Sequence, residues 1–215
     1  MGRRNFLRGG LALAASGTLL HGLQVAAHAS PVLPAPAAGP PAAPSEVLSD
    51  MQDPRAWRLS SEAGSVRPDT STYSHGTQSL EITTTGDPDR PTCADLTLSG
   101  VDMTDCQWDL WLRAEDYRQV ASILLELGGE GEDCLRLDVA PDMRTLRTGT
   151  WCRVTVNRAA ERAVVGRPQL DRVTRVRLKV VPASDSAPSR LWVGYLATLP
   201  SADSGIVSIS FDDGY

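Results

Sequence analysis

The sequence predicts an all-β protein, an antiparallel β-sandwich of jelly-roll type. Three observations carry that expectation. Short segments of alternating apolar and polar residues recur through 46–200, at spacings of about 10 to 20 residues. Turn-forming residues punctuate the gaps between them: Gly86-Asp87-Pro88, Ser99-Gly100, Gly128-Gly129, Pro141-Asp142, Gly166 and Pro182. No long amphipathic helix separates the segments, so the βαβ rhythm of a parallel sheet is missing.

Each strand rests on its own pattern. Ser79-Leu80-Glu81-Ile82-Thr83 alternates and is rich in β-branched residues. Ala94-Asp95-Leu96-Thr97-Leu98 and Trp108-Asp109-Leu110-Trp111-Leu112 alternate without a break. Further strands are expected over 122–127, 135–139, 151–156, 173–181 and 190–196. Residues 159–165 suffice for a turn or two of helix at most. Within Trp108–Leu112 the phase puts Trp108, Leu110 and Leu112 on the inner face, and Trp111 outside with Gln107 and Asp109.

The ends are organised differently. Arg3-Arg4 before Phe6-Leu7, an interrupted apolar stretch and Ala27-His28-Ala29 read as a twin-arginine export signal over 1–29. The apolar run is too short and broken for a spanning helix, which needs about 20 apolar residues. A secreted protein with no membrane contact after cleavage is expected. The leader carries Arg3, Arg4 and Arg8 and no acid, so removing three positive charges takes the net charge from −5 to −8. That acidity argues against nucleic acid as a partner. Residues 30–45 form a Pro/Ala-rich linker, extended because proline fixes φ and lacks an amide donor.

Cys93, Cys106, Cys134 and Cys152 all lie in the exported part. An even count in an oxidising compartment suggests two disulfides; four cysteines allow three connectivities, which the sequence does not choose between, and Cys93–Cys106 with Cys134–Cys152, each joining neighbouring strands, is the one taken as the expectation. The glycine-flanked acids Glu130, Glu132 and Asp133 read as a solvated hairpin tip rather than a calcium loop. Of the five tryptophans, most are assigned to the core. Trp111, assisted by Tyr117, is the candidate sugar-stacking platform, because pyranose rings pack on aromatic faces.

Two resemblances add to this reading. Trp57, the run Ser74-His75-Gly76-Thr77-Gln78-Ser79-Leu80-Glu81-Ile82 and Gly149-Thr150-Trp151-Cys152-Arg153-Val154 are similar to carbohydrate-binding-module-like sandwiches. After the polar connector 201–205, Ile209-Ser210-Phe211-Asp212-Asp213-Gly214-Tyr215 resembles the opening motif of the polysaccharide deacetylase (NodB-homology) family. That second resemblance implies that 201–215 begins a (β/α)-barrel domain, truncated after its first strand. It also implies metal-dependent removal of N-acetyl or other acyl groups from an extracellular glycan. Asp212 would be the general base and Asp213 a ligand to zinc or a similar divalent ion. The metal-binding histidines of that family are absent from the chain, so this fragment alone is expected to be inactive and to hold no metal. The partner expected is a chitin-like or peptidoglycan-like polysaccharide, and the protein is expected to be monomeric. The second reading is an exported, non-catalytic carbohydrate-binding or cell-surface module.

Overall fold

Alternating sequences bury their apolar rows by stacking two sheets face to face, and that is the arrangement found. The structure is a computed structural model that describes residues 46–184 and 187–201. These form β1 (Glu46–Ser49), β2 (Trp57–Leu59), β3 (Ser65–Asp69), β4 (Ser79–Thr83), β5 (Thr92–Val101) and β6 (Cys106–Ala114). They continue with β7 (Val120–Gly128), β8 (Cys134–Asp138), β9 (Cys152–Val156), β10 (Glu161–Val165), β11 (Val173–Pro182) and β12 (Arg190–Pro200). Sheet A has the order β3-β4-β12-β6-β9, with β1 also pairing β12. Sheet B has the order β10-β8-β7-β11-β5-β2. Every pairing is antiparallel.

The core lies between the sheets. Sheet A contributes Leu80, Ile82, Trp108, Leu110, Leu112, Leu191, Val193 and Leu196. Sheet B contributes Leu96, Ile123, Leu125, Leu127, Leu135, Leu137, Val176, Leu178 and Val180. Each such side chain stabilises the fold by about 1.5–3 kcal/mol relative to exposure. Trp108 is fully buried, as its phase with Leu110 and Leu112 requires. Because the side-chain period is two, the residues between these rows must face outward.

All eight predicted segments are strands, whereas β1, β2, β3 and β10 were not foreseen. β3 contains Pro68, which cannot donate to a ladder and is tolerated because β3 is an edge strand. Residues 158–165 give one 3-10 turn, Arg158–Ala160, followed directly by β10. The expected barrel is corrected. The described residues contain strands and 3-10 turns alone, with no (β/α)-barrel element. The proposed opening strand of that domain lies outside the described residues.

The disulfide expectation is corrected too: all four cysteines are free. Cys93 and Cys134 lie in sheet B, Cys106 and Cys152 in sheet A. Cys93 and Cys134 alternate with core residues and stand on the outer face of sheet B, so each expected pair is separated by the sandwich itself. A disulfide needs its Cα atoms within about 7 Å. Burial pushes the Cys93, Cys106 and Cys134 thiols up, away from the reactive thiolate.

Candidate functional site

The outer face of sheet A gathers aromatic residues. On β6, Trp111 faces outward between Asp109 and Arg113, and across the ladder it pairs with Tyr195 of β12 and Arg153 of β9. Aromatic cross-strand pairs of this kind contribute a few tenths to about 1 kcal/mol to a sheet. His75, on the β3–β4 connection, stands edge-on to Trp111 with ring centroids 5.0 Å apart and an interplanar angle of 77°. The same imidazole lies 6.0 Å from the Tyr195 ring. Trp151, just before β9, reaches across β6 so that its six-membered ring meets Gly194 of β12.

Gly194 is what lets Ser74 and the Trp151 ring lie close against β12. A Cβ there would collide with Ser74 Oγ and with the Trp151 ring. The register between β6 and β12 also shifts between Val193 and Tyr195. Strict alternation from Leu191 and Val193 would turn Tyr195 inward, and the bulge at Gly194 turns it out beside Trp111.

The loop that carries His75 is fastened from below. Gln52 Oε1 accepts from Thr77 N–H at 3.1 Å and from the Thr77 hydroxyl at 2.9 Å. Gln78 Nε2 donates to the Gln52 carbonyl at 2.7 Å, and Ser79 Oγ donates to the Thr72 carbonyl. Met51 supports this with a left-handed φ of 62°, which buries its own side chain and leaves Gln52 beside the loop. Backbone strain of this kind concentrates at functional surfaces. Ser74 Oγ lies 2.9 Å from His75 Nδ1 and orients the ring. Among the described residues no carboxylate hydrogen-bonds to His75, so a hydrolytic triad is not assembled there.

Charged side chains around the aromatic cluster are tied in pairs. Asp109, almost fully buried, accepts from Arg153 Nε at 3.0 Å on both oxygens. Its hydrogen bonds hold the Arg153 guanidinium above its ordinary pKa. Arg67 Nη2 lies 2.7 Å from Glu81, and Arg190 Nη2 lies 2.6 Å from Glu115. Asp69 accepts from Trp192 Nε1 at 2.7 Å and from Ser71 N–H at 2.7 Å. Partial burial raises the Asp69 carboxyl, but these donors outweigh it and hold the group below the usual range. Trp192 is 5% exposed, with Arg113 and Arg190 stacked on it at 5.4 and 5.2 Å from the ring centroid. It supports the face rather than forming its surface.

The site residues named from sequence are distributed unevenly. Trp111 is part-exposed on the outer face of sheet A. Tyr117 is 3% exposed and belongs to the core cluster, where burial pushes its phenol well up, so it is no part of the platform. Asp212 and Asp213 lie outside the described residues. Among the described residues no group of three or more His, Cys, Asp and Glu side chains could hold a metal ion. Sequence reasoning missed Tyr195, Trp151 and Arg113, and it gave His75 no part in the platform. The ring contact of His75 with Trp111 depends on how the loop folds over the sheet.

No family model and no curated protein matches the chain. Solved structures do match. The family 30 carbohydrate-binding module of cellulosomal cellulase Cel9D-Cel44B of Clostridium thermocellum superposes with a TM-score of 0.57 at 10% identity, covering 75% of this chain and 100% of that one. The family 11 module of cellulosomal cellulase Lic26A-Cel5E of the same organism gives 0.56 at 12% identity, covering 76% and 99%. A family 11 module of C. thermocellum in complex with a β-1,3-1,4-mixed-linked tetrasaccharide gives 0.54 at 10% identity, covering 74% and 98%. The chain shares the β-sandwich fold of carbohydrate-binding modules. This overturns the polysaccharide deacetylase assignment: its structural neighbours are such modules, and the described residues are all β without a barrel.

Proposed function

We propose that this chain is a non-catalytic carbohydrate-binding module that holds an extracellular polysaccharide on the outer face of sheet A. The observation that carries the reading is the cluster of Trp111, Tyr195 and Trp151 with His75, on one face of a sandwich shared with such modules. Sugar rings present C–H groups that pack on aromatic faces, while their hydroxyls need planar polar partners at the rim. Arg153, exposed and oriented by the buried Asp109 carboxylate, supplies such a partner beside Trp111. The twin-arginine leader read in residues 1–29 supports an exported protein, and the Pro/Ala linker suits a module held away from a neighbouring part. Chitin-like and peptidoglycan-like polymers are candidate ligands, bound by a monomer.

The test is affinity gel electrophoresis and calorimetry of the full chain with mixed-linked β-glucan, glycol chitin, soluble peptidoglycan and polyuronate. At least one polymer is expected to retard the wild type, with that retardation lost in Trp111→Ala. Retardation by none of them, or equal retardation of Trp111→Ala, would refute the reading.

A further inference from the structure

Across sheet B a single row of side chains runs Arg58–Asp95–Arg177–Glu126–Arg136, with charge alternating at every strand. Across sheet A the corresponding row runs Arg67–Glu81–Trp192–Arg113. The alternation breaks at Trp192, so Arg113 beyond it faces an indole across the ladder and not a carboxylate. Among the described residues, Arg67, Arg153 and Arg190 on this face each have a carboxylate partner, and Arg113 has none. Its Nε is buried without a hydrogen-bond partner, although the residue as a whole remains part-exposed. Asp69, the acid that binds Trp192, is already engaged by the indole and by Ser71.

We infer that Arg113 receives an oxyanion substituent of the glycan, a carboxylate or a sulfate ester, so that the ligand is an acidic polysaccharide. This rests on the proposed sugar platform and specifies its substrate class. Arg113 lies two residues from Trp111 on the same strand and the same face, about 7 Å along it, so a sugar stacked on Trp111 places its neighbour's substituent at the guanidinium. Stacking on Trp192 holds the guanidinium's plane before ligand arrives, which lowers the ordering cost of a two-pronged contact. A neutral hydroxyl would accept from the exposed part of the guanidinium but leave its charge unmatched.

The experiment titrates the full chain with four soluble polymers: a polyuronate, the same polymer after carboxyl reduction, a sulfated galactan and mixed-linked β-glucan. The polyuronate or the sulfated galactan is expected to bind at least tenfold more tightly than the neutral polymers. Which of the two does so identifies the oxyanion. Arg113→Met should erase that margin, and Arg113→Lys should recover part of it. Equal binding of acidic and neutral polymers overturns the inference and leaves the platform standing, as does an equal loss on all polymers in Arg113→Met. The comparison of native with carboxyl-reduced polymer needs no variant, so a misfolded Arg113→Met does not blunt the test. Binding of none of the polymers overturns the inference together with the reading beneath it.

Discussion

The two outer faces of the sandwich follow the same strand geometry and carry opposite contents. On sheet B, Arg177 bonds Asp95 through two nitrogens at 2.6 and 2.9 Å and lies 3.7 Å from Glu126, which in turn binds Arg136 at 2.8 Å. These charges satisfy one another, and burial of Glu126 makes the network structural. On sheet A, aromatic rings replace part of that ladder and one cation is left unmatched. A charged ladder closed on itself in this way has little to offer a ligand. The face with part-exposed rings and a cation lacking a carboxylate partner beside them is the one equipped to bind.

The contrast breaks most visibly on sheet B. Arg177→Met leaves Asp95 without its cation and should cost about 3 kcal/mol of stability, read by urea denaturation, with glycan affinity unchanged. Trp111→Ala should behave in the opposite way. Its affinity for the bound polymer is expected to fall by about 2 kcal/mol, roughly thirtyfold, with little change in the denaturation midpoint. Gly194→Ala should sharpen the comparison by touching both properties. Its Cβ displaces Ser74 and Trp151, so stability should drop by about 1 kcal/mol and binding should weaken with it.

The smallest effect concerns pH. The Asp116 carboxyl is drawn down to about 2, chiefly by its side-chain hydrogen bonds from Arg118. A depressed carboxyl stabilises the fold above its unfolded pKa near 4, and that contribution fades as pH falls from about 4 to about 2. The Tm difference between wild type and Asp116→Asn should therefore be present at neutral pH and close across that window. It should be small, because the group is exposed. A difference that persists unchanged at pH 2 contradicts the assignment.

Much of this was legible in the sequence wherever period-two alternation ran unbroken. Trp108–Leu112 gave both the inward Trp108 and the outward Trp111. The pattern failed where geometry departs from it. Tyr195 shares parity with Leu191 and Val193, and only the bulge at Gly194 moves it to the outer face. Trp151 was expected to open a strand that begins instead at Cys152, and its ring's position depends on the absent Cβ two strands away. β3 was hidden by Pro68, and Tyr117 looked like a surface aromatic because the turn that buries it has no apolar period. The deacetylase resemblance rested on a few terminal residues, while the sandwich was written across the whole middle of the chain.

Hydrogen–deuterium exchange of the full chain, with and without its tightest-binding polysaccharide, tests the central claim most directly. Protection is expected in β6, β12 and the 70–78 loop, with β5, β7 and β11 unchanged. Protection confined to the charged ladder of sheet B, with β6 and β12 unaffected, would contradict it.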